Sequence, residues 1–441
     1  MKLIVEIFFF MKYLFHNSLI FSILSVNHYI ILTQQHVAGK WSLPIMSEQE
    51  QAFDDWLVNL RRDFHAHPEV SFKENRTTEK IGELLTEMGI EAQRFENHTG
   101  VVALLEGKSE GPTIGLRADI DALPVHELRQ ISYRSLHDGC MHACGHDANT
   151  AIMLGVARRL VESGTMQNCR GNVKFIFQPA EERLSGANTM INAGVLENPK
   201  IDCLLAGHMS PDLPIGHIGI FKKIGYASSD SFVITIAGKG THGARPEDGN
   251  DPIVAGAALV TLLQSIVSRN VKPTLAGVIT VGMFQGGAAD NVIPESVKMA
   301  GTIRALDENV RQTLMRRLRE VVDGIAITYG VNGSVNIHDG SPVLVVDEAV
   351  STFVYETARE VEGVKNVSYV PPIMGSEDFA FFTRLCPATI IRLGSSNISA
   401  EINHPLHSPY FDIDERVLGI GVDIFFETVN RYLSDSDYSA N

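Results

Sequence analysis

Ser231–Ala237 reads SFVITIA, with the large apolar residues Phe232, Ile234 and Ile236 at every second position. That alternation is the pattern of a half-buried strand. Working outward, 251–269 reads as a long helix, 277–284 and 296–305 as strands, 308–329 as a second helix and 333–338 as a further strand. The order β-α-β-β-α-β is that of a ferredoxin-like unit. The spacing therefore predicts an inserted unit at 225–338. Before it, amphipathic helices are expected at 48–67 and 77–88, the first ended by Pro68 and the second by Gly89. Short apolar runs follow at 101–105, 113–117, 173–178 and 203–207, the later ones separated by helical segments at 148–163 and 185–194. After the insertion come a helix at 347–360, a strand at 388–393 and a closing helix at 414–433. Strands alternating with helices argue for an α/β sheet that is at least partly parallel. One discontinuous domain, 46–224 and 339–441, is thus expected to carry the inserted unit.

The chain has 441 residues, 44% of them hydrophobic and 20% charged, which excludes disorder over most of its length. Its net charge of −15 argues against sequence-independent nucleic-acid binding, which rests on Lys and Arg meeting phosphates. Five cysteines in a chain this long do not make a disulfide scaffold and point to a reducing, cytoplasmic setting. The first 45 residues stand apart, carrying a net +2 against −17 from Met46 onward. Residues 13–33 hold no formal charge and could form an N-terminal membrane anchor, although Asn17, Asn27, His28 and several serines interrupt them. Met46 opens MSEQEQAFDDWL, which reads as a natural start with an acidic first helical turn, so 1–45 is expected to lie outside the fold.

Four short segments carry metal-binding chemistry. Met141–Asp147 (MHACGHD) offers Cys144 and His146, a thiolate and an imidazole suited to a divalent cation; equally, such a pair can be a buried thiol beside a surface histidine. Gln178–Glu182 (QPAEE) follows the apolar run VKFIF, so its carboxylates fall at the carboxyl end of a buried strand. Adjacent carboxylates there can divide the roles of ligand and general base. His208 follows CLLAG, and a histidine in that position is often only a satisfied core residue. His404 and His407 lie in a Pro-rich loop. Together the segments supply Cys, His, Glu, His and His, enough for two metal ions that activate a water and polarise a carbonyl.

Further motifs lie among these: RRDFHAHPE (61–69), RADIDALP (117–124), GKGTHGARP (238–246), GGAADNVIP (286–294), GTIRALD (301–307), MGSEDF (374–379) and HSPYFDIDE (407–415). In this order the set resembles the peptidase M20 family, in its amidohydrolase branch of hippurate hydrolases, N-acyl-amino-acid amidohydrolases and auxin-conjugate hydrolases. The resemblance spans about 50–435. It implies a fold of class α/β: a mixed-sheet catalytic domain with helices on both faces and an inserted ferredoxin-like lid, through which a homodimer forms. By the family pattern Cys144, His146, Glu182, His208 and His407 are metal ligands for two divalent ions, Zn or Mn, with Cys144 where related branches use a bridging Asp. Glu181 falls on the general base. His242 matches a residue that reaches into the site of a partner subunit and helps hold the oxyanion. Asn291 and Arg304 match residues that bind the substrate's free carboxylate, and Gly375 shapes the pocket floor.

The pattern is not met everywhere. Asp119 matches an orienting carboxylate that elsewhere supports a ligand His two residues earlier, where this chain has Arg117; a turn-capping role is the alternative. Asn149 and Ser408 stand where His is frequent. The expected activity is metal-dependent cleavage of a small-molecule N-acyl or N-aroyl amino acid to a carboxylic acid and a free amino acid. A biosynthetic deacetylase acting on a substrate such as N-acetyl-diaminopimelate, a dipeptidase or carboxypeptidase, and a non-enzymatic carboxylate binder are the alternatives.

Overall fold

The computed structural model describes residues 48–434. The apolar stretch 13–33 and the start expected at Met46 lie outside the described residues. Of the residues before Asp54, only 48–53 are described, as the first turns of α1 (Glu48–Ala66). α2 (Asn75–Glu87) follows and stops just before Gly89, whose φ of 78° suits a residue without a Cβ. β1 (Ala92–Arg94), β2 (Val101–Glu106) and β3 (Ser109–Asp119) lead to α3 (His146–Glu162). Then come β4 (Arg170–Gln178), α4 (Gly186–Asn192), β5 (Cys203–Pro214) and β6 (His217–Ile220).

A second sheet is built from β7 (Ser228–Ala237), β8 (Thr241–His242), α5 (Pro252–Asn270), β9 (Gly277–Gly286), β10 (Val292–Ile293), β11 (Ser296–Ala305), α6 (Glu308–Tyr329) and β12 (Asn332–Ser341). The chain returns through α7 (Glu348–Ala358), β13 (Asn366–Tyr369), β14 (Ala388–Ser396) and α8 (Arg416–Ser434).

The larger sheet has eight strands in the order β1-β2-β4-β3-β5-β14-β6-β13. Its centre, β4-β3-β5-β14, is parallel, and β2 and β6 join it antiparallel, so the sheet is mixed. On one face Leu204, Ala206, Ala388 and Ile390 pack with Ala187 and Met190 of α4 and with Phe379 and Phe382. On the other face α3 and α8 pack on the sheet. Gly207 makes room there, since a Cβ at that position would lie 2.9 Å from the ring of Phe425.

β12, β7, β11 and β9 form a separate, wholly antiparallel four-stranded sheet in that order, the ferredoxin-like arrangement. Phe232, Ile234 and Ile236 of β7 enter a core with Leu259 and Leu263 of α5 and Leu314 and Leu318 of α6. Both helices begin on an aspartate cap: Asp251 accepts from the backbone of Ile253 and Val254, and Asp307 from that of Val310.

Two differences from the expected elements bear on the site. β5 does not end at Gly207 but runs to Pro214, because its ladder with β14 continues past His208; His208 therefore sits within a strand. α3 begins at His146 itself. The four-residue strands β6 and β13 were not expected, being too short for an alternating pattern to register.

Candidate active site

The site lies where the parallel strands end, the usual position in α/β sheets. β4 ends at Gln178 and the chain turns through Pro179–Ala180 into a single 3₁₀ turn, Glu181–Arg183. Ala180 and Leu184 bracket that turn with φ of 53° and 52°, a left-handed conformation costly for residues bearing a Cβ. Side chains hold it in place. Glu74 Oε1 accepts from Ala180 N at 2.9 Å. The two oxygens of Asp121 accept from the backbone N–H groups of Glu181 and Glu182, each at 3.1 Å. Gly186 passes so close that a Cβ would lie 1.6 Å from the carbonyl oxygen of Pro179.

The imidazoles are aimed in the same way. His146 Nδ1 donates to the carbonyl of Asp121 at 2.8 Å, and His208 Nδ1 to that of Met209 at 2.8 Å. A carbonyl only accepts, so Nδ1 of each ring is the donor and Nε2 is the nitrogen turned toward the cluster. His208 Nε2 lies 3.5 Å from Cys144 Sγ. His407, at φ 65°, is anchored by its backbone N–H on Ala143 O and sets Nε2 3.5 Å from Glu182 Oε1.

Ligand atoms of Cys144, His146 and His208 lie within 4.8 Å of one another, as do those of Cys144, Glu182 and His407. Cys144 belongs to both triads. His146 Nε2 and Glu182 Oε1 are buried without a hydrogen-bond partner. Buried polar atoms are rarely left so, and a thiol, imidazoles and a carboxylate together fit divalent cations. All five expected ligands are thus brought together.

Charge is crowded behind them. Burial, with Glu182, Glu181 and Asp119 adding to it, pushes the Cys144 thiol well up, so binding a cation there releases a proton. Burial, then Glu377, Asp378 and Glu182, also raises Glu181 well above the carboxylate range. Burial opposes a charge on His146, but Asp119, Asp121 and Glu182 outweigh it and lift the imidazole to about 10.

The counter-charge is Arg117, wholly buried. Its guanidinium donates to Gln178 (2.9 Å), Asp119 (2.7 Å), Glu377 (3.0 Å) and Asp378 (3.0 Å). Asp119 also accepts from Asn149 at 2.7 Å and lies 3.8 Å from His146 Nε2. Burial favours its neutral form, yet His146, Arg117 and His208 hold its pKa at about 2. It is therefore an ionised link between Arg117 and the ligand cluster, not a turn cap.

A second buried cation, Arg61, binds Asp147 at 2.8 Å and Asp412 at 3.0 Å. Its neighbour His65 also meets Asp147, at 2.7 Å. This ties α1, the start of α3 beside His146, and the segment after His407 together.

A cavity of about 490 Å³ opens over the cluster. Cys144, Glu181, Glu182, His208 and His407 line it, with Arg304 of β11 and Gly375. Arg304 Nη1 donates to Met374 O at 3.1 Å and Ser376 Oγ at 3.4 Å, and among the described residues it enters no ion pair. His242 and Asn291 are not in this cavity. They are exposed on the short β8–β10 ladder, where Gly243 N donates to Asn291 O and Ala244 N to His242 Nδ1. Sequence reasoning gave no role to Asp121, Glu377, Tyr226 or Arg392, the last three of which line the cavity. For Arg117 and Arg392 a signal existed: each is a charge inside an otherwise apolar strand.

Residues 115–431 match the model of peptidase family M20/M25/M40. The chain is 38% identical to the N-acetyl-L-cysteine deacetylase of Bacillus subtilis, over 93% of this chain and 94% of that protein. It is 35% identical to the IAA-amino acid hydrolase ILR1-like 5 of Arabidopsis thaliana, over 89% and 90%. The solved structure of a Bacillus subtilis protein described as a dinuclear metal binding peptidase from the M20 family superposes with a TM-score of 0.76. That match has 34% identity and covers 87% of this chain and 99% of that one.

Two outcomes are expected. Cys144→Ala should bind divalent ions at least about tenfold more weakly; unchanged metal content by elemental analysis would refute ligation. Glu74, pushed up to about 7 by burial, favours the folded state in its neutral form. Its contribution is complete below about pH 4.3 and fades as pH rises through about 7. Wild type should thus lose about 1–3 kcal/mol relative to Glu74→Gln across that window. Parallel melting curves at each pH would disprove it.

Proposed function

We propose that this chain, which belongs to peptidase family M20/M25/M40, hydrolyses the amide bond of N-acyl or N-aroyl amino acids, releasing a carboxylic acid and a free amino acid. The observation that carries this reading is one cavity lined by four ligand-type side chains, Cys144, Glu182, His208 and His407, with His146 buried beside them, a buried carboxylate with raised proton affinity, and an arginine that enters no ion pair among the described residues. Cys144, His146, Glu182, His208 and His407 would hold two divalent ions, Zn or Mn. Such ions acidify water and polarise a carbonyl.

The rest is work for the chain's own residues. Glu181 takes the proton from the attacking water as its oxygen meets the carbonyl carbon. It returns that proton to the amide nitrogen as the carbon–nitrogen bond breaks. Glu181 would be drawn down into its ionised, proton-accepting form by cations held in the cluster, while its burial helps it keep the proton until the amide nitrogen takes it. Asp119 acts as a positioning residue, fixing Arg117 beneath the cluster. Arg304 receives the free carboxylate of the amino acid, which its planar fork matches, above a floor that includes Gly375 and Ser376.

His242 and Asn291 fit a role across a homodimer. β9 is a free edge of the four-stranded sheet, and Ile253, Val254 and Leu262 of α5 and Phe284 of β9 are exposed. An unpaired edge beside apolar side chains is a surface that a second copy would cover. We assign the 225–338 unit as a lid that pairs in this way and delivers both residues to the other subunit's cavity. The five unpaired cysteines suit a cytoplasmic enzyme.

The test is a panel of acetyl, benzoyl and indoleacetyl amino acids, assayed with Mn or Zn and with chelator. Release of free amino acid that chelator abolishes is expected; no release from protein shown to hold two metals would overturn the reading. In the same assay Glu181→Gln should keep its metal yet lose at least about 10²-fold in turnover, and wild-type rates would remove its role. Arg304→Ala should lower kcat/KM for conjugates with a free carboxylate far more than for their amides. An equal loss on both would rule out carboxylate recognition.

A further inference from the structure

We propose that the cavity contains a second anion subsite, built on Arg392, and that the preferred substrates are N-acyl amino acids carrying two carboxylates. This rests on the amidohydrolase reading above. β14 is buried along its whole length and reads ATIIRLGSS, so Arg392 interrupts a strand that otherwise serves the core. Its register explains where the charge goes. Ala388 pairs with Leu204, Ile390 with Ala206 and Arg392 with His208. Side chains alternate along a strand, so Arg392 shares a face with His208. On that face the apolar column of Ala388 and Ile390 gives way to the cavity, which both Arg392 and His208 line.

Arg392 is not consumed by structural contacts. Its side chain is 11% exposed, and among the described residues its ion pair is with Asp212, from Nη2 at 2.5 Å. That carboxylate is 62% exposed, and water screens such a pair. The Nε–H is buried without any acceptor, a state that proteins seldom tolerate. The cavity therefore offers two guanidinium groups, Arg304 with no carboxylate partner among the described residues and Arg392 paired there with the exposed Asp212 alone. With the α-carboxylate on Arg304, as in the reading above, Arg392 is left for another anionic group. A second carboxylate fills the other, whether it comes from an acidic amino-acid side chain or from a dicarboxylic acyl group.

The metal-loaded, full-length protein tests this in two arms: N-acetylglutamate against N-acetylglutamine, and N-succinylmethionine against N-butanoylmethionine. In one arm the dianion should show at least about tenfold higher kcat/KM, and that arm identifies the source of the second carboxylate. Glutarate should inhibit at least about tenfold more tightly than butyrate. Arg392→Gln should collapse both preferences. Arg392→Lys keeps a cation for Asp212 and guards against misfolding, but it lacks the fork and should weaken glutarate severalfold. Equal kcat/KM within both arms, or glutarate binding unaltered in both variants, would overturn the subsite and leave the amidohydrolase reading standing. Hydrolysis of none of the four conjugates would overturn both.

Discussion

Arg117 is wholly buried in β3, and the site is arranged on its guanidinium. A cation in that position is affordable only if carboxylates surround it. Its burial works against the charge, but Glu377, Asp119 and Asp378 outweigh that and keep it protonated. The four bonds reach three pieces of chain: Gln178 at the end of β4, Asp119 at the end of β3, and Glu377 and Asp378 where a second 3₁₀ segment, Asp378–Arg384, begins. Removing the cation would leave three buried carboxylates facing one another, so the strand ends and the turn keep their spacing because the charge does.

The same logic explains why the acidic side chains stand so close without forcing the site apart. Glu181, Glu182, Glu377, Asp119 and Asp121 repel one another, and the repulsion is offset on two sides. Arg117 offsets it from within the protein. On the cavity side, His146 Nε2 and Glu182 Oε1 are buried without a hydrogen bond, and cations bound there would complete the balance. Arg61 repeats the device one layer back, where Asp147 and Asp412 flank a second buried guanidinium and fix the helix that begins with His146. Rigid placement of ligands therefore comes from buried ion pairs rather than from packing alone.

Much of this was legible in the sequence, for definable reasons. Phe232, Ile234 and Ile236 revealed β7 because one face of that sheet is wet and the other dry, which writes a period of two into the chain. The long helices declared themselves through caps and apolar spacing. The candidate ligand set could be read because Cys, His and Glu are metal-binding types and two of the four segments follow apolar runs. What stayed hidden depended on distance in space. Asp121 was visible within RADIDALP, but that it accepts from the backbone of Glu181 and Glu182, about sixty residues away, follows from strand pairing alone. The meeting of RRDFHAHPE with MHACGHD and HSPYFDIDE through Arg61 is likewise a property of the fold. His242 and Asn291 resemble site residues by motif yet lie outside the cavity of their own chain, at the short β8–β10 ladder and just before it.

The division of charge between the two sheets orients whatever enters. The parallel sheet contributes Glu181, Glu182 and the thiol of Cys144 to the cavity, and the loop before the 3₁₀ turn adds Glu377. The antiparallel sheet contributes Arg304, and β14 adds Arg392 where it runs beside the ligand-bearing strand. An anionic amide would be repelled from the carboxylates and drawn to the guanidinium groups, so its free carboxylate and its amide would be sorted before any bond is made. A neutral amide of similar size gains no such sorting. The arginines therefore act on which molecules reach the ligand cluster in a reactive pose, while Arg117, deeper and saturated with partners, acts only on the shape of the cluster itself.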